Sequence, residues 1–151
     1  MNPTPSELLV GNFMALITPP PPESMGEFLA GKVSVTGMIS LLMAQEAERG
    51  IAVRVEENRA IRALLAEAAE GGWAPALSSR LAALGAGEDA DLRLAAVDAA
   101  NAVLRQGLID LHDTVFAREG PQRAARDRRI VALYVDMAQA RRLDLPPLPA
   151  R

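Results

Sequence analysis

The chain has 151 residues, no cysteine, a formal charge of −3 and a pI near 5.2. These values exclude disulfide frameworks, thiolate metal sites and cysteine nucleophiles, and argue against nucleic-acid binding, which needs a basic field to displace phosphate counterions. Half of the residues are apolar but only 3% are aromatic, and much of the apolar content is alanine, so the material suits a thin, tightly spaced helical core in one domain.

Thr4, Pro5, Ser6 and Glu7 have capping-box spacing with proline at the first helical position. A short helix is expected there, its apolar side carrying Leu8, Leu9, Phe13, Leu16 and Ile17. Thr18 and the prolines after it end the helix, because proline donates no backbone hydrogen bond and disfavours a helical predecessor. Residues 1–18 thus read as an N-terminal arm and residues 19–23 as a stiff spacer. Ser24 and Glu27 repeat the capping spacing and open a second helix, with Met25, Phe28, Leu29, Val33, Met38, Ile39, Leu42 and Met43 on its face. Gly26, Gly31 and Gly37 interrupt it; each costs about 1 kcal/mol against alanine in a helix interior, so a close helix crossing is the expected reason. Residues 25–44 are long enough to span a bilayer. Glu27, Lys32 and the interspersed glycines and hydroxyls favour a buried core helix instead, and no membrane span is expected.

Across residues 45–70 the period stays helical, with Ile51, Val55, Ile61, Leu65 and Ala68 on the apolar side and Glu56, Glu57, Arg59, Arg62 and Glu67 largely elsewhere. A kink or break is expected near Gly50, and Gly71 with Gly72 ends the segment. Residues 73–84 read as a short helix with Pro75 in its first turn and Gly85 past its end, and Trp73 as a lid on the core. The clearest pattern follows at residues 91–119, where Leu94, Val97, Asn101, Leu104, Leu108, Leu111 and Val115 recur in steps of three and four. Glu88, Asp89 and Asp91 suit the positive end of that helix's dipole. Gly120 ends it, and Pro121 opens a last helix reaching about Leu143, with Ile130, Leu133, Tyr134, Met137 and Ala138 inward. The basic run at residues 123–129, broken by Asp127, reads as a solvated helix start, an anionic partner being the minor alternative. Residues 146–151 are expected to form an extended tail. The fold class is all-α: an antiparallel bundle of five or six helical segments in a single domain, with residues 24–145 as its core.

No catalytic or metal-ligating signature emerges. His112 is the sole histidine, and the carboxylate next to it, Asp113, points elsewhere on a helix. The Glu-x-x-His motifs of a di-iron bundle are missing, and a haem would have His112 as its lone axial ligand. Asp91, Asp98, Arg105, His112 and Glu119 recur at sevens one step beyond the seam, about 10.5 Å apart along the axis, and are expected to set which helix lies alongside. Asn101, on the apolar seam, must find partners if buried, and pairing with Asn58 is expected. The functional expectation is a non-enzymatic bundle acting through protein association: self-association as a homodimer, or an adaptor or chaperone-like role with another protein. The composition and the lack of a basic leader before Leu8 suggest a bacterial, cytoplasmic protein without cofactor, metal or nucleic-acid partner. The alternative is a bundle enclosing a small apolar or carboxylated ligand, with or without enzymatic chemistry on it, bounded by Met38 and Met43 on one side and residues 104–116 on the other. Arg105 and His112 would be its polar anchors.

Overall fold

The computed structural model describes residues 5–17 and 21–144. Its elements are α1 Pro5–Leu16, α2 Pro22–Met25, α3 Glu27–Ala69, α4 Pro75–Gly85, α5 Leu94–Phe116 and α6 Pro121–Ala140, and no strand occurs among the described residues. The fold is all-α, as the periodicities imply. Thr4, the start of the proline run and the tail from Leu145 lie outside the described residues.

Several boundaries differ from those read in the sequence. Pro22 does not belong to a spacer but opens the single turn of α2, consistent with the fitness of proline for a first helical position. Ser24 Oγ donates back to the Pro21 carbonyl at 2.8 Å rather than capping the next helix. Gly26, at φ +73°, separates α2 from α3, a conformation that glycine adopts without steric penalty. α3 then runs without interruption for 43 residues, so the break expected at Gly50 is not found. Glycine weakens a helix but keeps its N–H, and the well-formed turns on either side carry the ladder through. α5 starts at Leu94, leaving Glu88, Asp89 and Asp91 in the preceding loop; Asp91 Oδ1 accepts the Arg93 backbone N–H at 2.9 Å.

The chain divides into two compact units, one comprising the residues up to Gly50 together with those from Arg142, the other Ile51–Arg141. In the first unit α1 lies antiparallel to α3. Ser6 Oγ donates to the Ala44 carbonyl at 3.2 Å and Asn12 Nδ2 to Ser40 Oγ at 2.6 Å. Gly37 makes the approach feasible, since a Cβ there would stand 3.0 Å from Leu16 Cβ. Gly31, by contrast, faces open space, so only Gly37 serves the crossing. Gln45 clasps the backbone of Asp144 from both sides, donating to its carbonyl at 2.7 Å and accepting its N–H at 2.8 Å.

The second unit contains the hydrophobic core. Ile61, Leu65 and Ala69 of α3 meet Trp73, Leu81 of α4, Leu104, Leu108, Leu111 and Val115 of α5, and Ile130 and Met137 of α6. The α5 seam is buried as its spacing requires, except that Leu94 is 42% exposed at the helix start. On α6, Leu133 and Tyr134 are half-buried and Ala138 is exposed. Cross-contacts fix the directions: Arg80 reaches Asp110, Glu67 reaches Arg129, and His112 reaches Asp127. Successive helices therefore alternate up and down, with α5 parallel to this part of α3 because Arg54 pairs with Asp98 and Glu57 with Asn101.

Two glycines let these helices close on one another. A Cβ on Gly85 would stand 2.7 Å from the backbone nitrogen of Ala66, and one on Gly107 would stand 2.5 Å from Leu84 Cδ1.

Candidate functional site

Within the second unit a chain of polar side chains crosses the core. Glu57 has a side chain only 1% exposed. Its Oε2 accepts from Arg141 Nε at 2.6 Å, and its Oε1 accepts from Arg141 Nη2 at 3.1 Å and from Asn101 Nδ2 at 2.8 Å. Asn101 Nδ2 also donates to Asn58 Oδ1 at 2.9 Å, and Asn101 Oδ1 accepts from Arg141 Nη2 at 3.0 Å. Asn58, fully buried, donates onward to both carboxylate oxygens of Asp89 at 3.1 Å, and Arg62 Nη2 donates to Asp89 Oδ1 at 2.7 Å.

The Asn58–Asn101 pair is thus part of a longer relay of charge-assisted bonds. Glu57, placed on the polar side by periodicity, is corrected to a buried position. A carboxylate can be buried at tolerable cost only when its lone pairs are claimed, and here a guanidinium and an amide claim them. The Arg62 hydrogen bond, with a smaller contribution from Asn58, holds the Asp89 carboxyl below the usual carboxylate range against the opposing effect of burial. The network offers neither a free nucleophile nor an open carboxyl; its chemistry is that of a register lock between α3, α5 and the end of α6.

The four residues named as ligand contacts fall in different places. Met38, half-buried, and Met43, 53% exposed, belong to the first unit, whereas Arg105 and His112 belong to the second. Arg105 is exposed on α5. His112 is oriented from α6, where Asp127 Oδ1 lies 2.9 Å from its Nε2, and its ring lies 5.7 Å from that of Tyr134. Asp127, which interrupts the basic run in the sequence, therefore has a specific partner. Of the five residues spaced by sevens, Asp98 and His112 reach neighbouring helices; Asp91 bonds locally to Arg93. Among the described residues no group of three or more acidic or histidine side chains is arranged to hold a metal ion.

The first unit has a different character. Leu8, Val10 and Met14 on α1 and Phe28, Leu29, Val35, Ile39 and Met43 on α3 are each at least 40% exposed. Ala44 is the one apolar residue of this unit buried among those described. α3 is also the one helix, among the described residues, long and apolar enough to cross a membrane by length and composition. Only 22% of its most apolar window is buried among the described residues, well short of the core burial expected for this stretch.

Compared with protein-family models, curated proteins and solved structures, the chain matches none of them.

Proposed function

We propose that this protein acts through association, and that the α1–α3 apolar surface of the first unit is where a second copy of the chain docks. One observation carries the reading: among the described residues these two helices expose eight large apolar side chains in the first unit and bury no apolar side chain there larger than that of Ala44, so this apolar surface has little core of its own. Exposed apolar surface on this scale marks an interaction site. From Phe28 to Gln45 the only charged side chain is Lys32, so the face lacks the charge pattern that would select a highly charged partner. Two such hairpins related by a twofold axis would cover each other's leucines, methionines and Phe28, as an isologous interface requires.

Sedimentation velocity of the full chain without detergent tests the reading, with Ile39→Glu and Phe28→Glu as variants and co-flotation with neutral phosphatidylcholine vesicles in parallel. The expected result is a wild-type dimer, monomeric variants with unchanged far-UV circular dichroism, and no flotation. Phe28 is 77% exposed, so its replacement leaves the fold intact. A monomeric wild type, or variants that still dimerise, would overturn the proposal; flotation would move the assignment to a bilayer surface.

A further inference from the structure

The arginines of this chain are mostly committed. Arg54, Arg59, Arg62, Arg80, Arg93, Arg129, Arg141 and Arg142 each hold a carboxylate. Among the described residues Arg49, Arg105, Arg118, Arg123, Arg126 and Arg128 hold none, and three of these six, Arg118, Arg123 and Arg126, converge on one groove of about 220 Å³ in the second unit, together with Trp73, Val115 and Glu119.

We infer that this groove binds a small phosphate-type dianion. Each of the three guanidinium groups rests beside an aromatic ring. Arg118 Cζ lies 4.1 Å and Arg126 Cζ 4.8 Å from the Trp73 ring centroid, while Arg123 Cζ lies 4.8 Å from that of Phe116. Arg118 is further held by the Gly72 carbonyl at 2.7 Å and the Gly71 carbonyl at 3.4 Å. Trp73 is itself anchored, its Nε1 donating to the Ala68 carbonyl at 2.6 Å. A guanidinium held beside an aromatic ring keeps N–H groups in a planar fork matched to oxyanions, and for Arg118 and Arg126 part of the ordering entropy is already spent on the buried Trp73. Three guanidiniums against the single carboxylate of Glu119 leave a net positive groove, which favours a dianion over a monoanion. Its volume admits a phosphate group with a small organic substituent; the ring faces are taken up by arginine, so recognition rests on the charged end.

The test is a nuclear magnetic resonance titration of the full chain with inorganic phosphate and with phenyl phosphate at low ionic strength, acetate serving as the monoanion. Backbone and arginine Nε resonances are followed for the wild type and for Arg123→Gln, Arg126→Gln and Arg128→Gln. Arg128 is exposed on the same helix outside the groove, so its replacement removes the same charge. The expected result is saturable shifts at residues 118–126 with both phosphates and weak or no response to acetate. Affinity should fall about tenfold in Arg123→Gln and Arg126→Gln, as loss of a charge-assisted hydrogen bond implies, and remain within about twofold of wild type in Arg128→Gln. Equal weakening in all three variants would reduce the effect to diffuse attraction and overturn the proposal, as would no saturable shift with either phosphate. Arg123 is exposed, so its variant keeps the test decisive even if Arg126→Gln unfolds.

Discussion

Replacing Arg141 by alanine would strand the Glu57 carboxylate in the core. The Glu57 side chain is 1% exposed and loses both guanidinium contacts, leaving Asn101 Nδ2 as its donor. Removing one partner of a buried ion pair costs about 3–5 kcal/mol. Arg141 is itself 33% exposed, so water entering the vacated space lowers the figure to about 3 kcal/mol, a large part of the roughly 5–15 kcal/mol that stabilises a typical domain. For a unit of this size, that corresponds to a fall in Tm of about 12–24 °C. Urea unfolding followed by far-UV circular dichroism measures the loss. Arg141→Lys should recover part of it, because an ammonium supplies charge but not the two-pronged geometry.

Replacing the whole relay gives the opposite sign. Glu57→Leu, Asn58→Leu, Asn101→Leu and Arg141→Met together leave no orphaned partner except on Asp89, which keeps Arg62. Apolar replacements of this kind are neutral or stabilising by about 1–4 kcal/mol, while resonance lines should broaden and their dispersion narrow as helix register loosens. A cost below about 1 kcal/mol for Arg141→Ala, or a quadruple variant as unstable as the single one, would refute the account of the network.

Three further outcomes are expected. Asp89 has a folded-state pKa below its unfolded value, so its contribution is fully present above the ordinary carboxylate range and is lost as pH falls through the folded pKa; thermal melts between neutral and acid pH should show a shallower acid limb in Asp89→Asn. Gly85→Ala places a methyl 2.7 Å from the Ala66 backbone and should destabilise by about 1–2 kcal/mol in urea titration, the strain of overpacking outweighing the gain in helix propensity. Gly37→Val should push α1 off α3 at the Leu16 crossing, read as faster hydrogen exchange in the amides of α1, with the Ile51–Arg141 core exchanging as before.

The α5 seam was legible because core burial imposes the three-four spacing that Val97, Leu104, Leu108, Leu111 and Val115 obey, and the buried Asn101 in their midst announced a polar partner. Glu57 was not legible. It follows Glu56 and precedes Asn58 in an acidic stretch, and its burial depends on Arg141, 84 residues away, which no local pattern encodes. The partner of His112 was hidden for the same reason: Asp127 lies on another helix, inside a run whose arginines dominate its appearance. The start of α5 was misplaced because Asp89 has the composition of a first-turn acid yet turns inward to Asn58 and Arg62. The exposure of Phe28, Ile39 and Met43 could not be foreseen, since a helix covered by its own chain and one covered by another molecule use the same apolar period.

The placement of Trp73 has a practical corollary. The only tryptophan and the only tyrosine, Trp73 and Tyr134, both fall within Ile51–Arg141, so the chain carries an intrinsic fluorophore in one unit and none in the other. Emission from an indole buried to 7% exposure and flanked by two guanidiniums reports the melting of the second unit alone, whereas circular dichroism sums the helices of both. Coincident curves from the two signals would identify a single cooperative transition, and separated curves would assign a stability to each unit without labelling or truncating the protein.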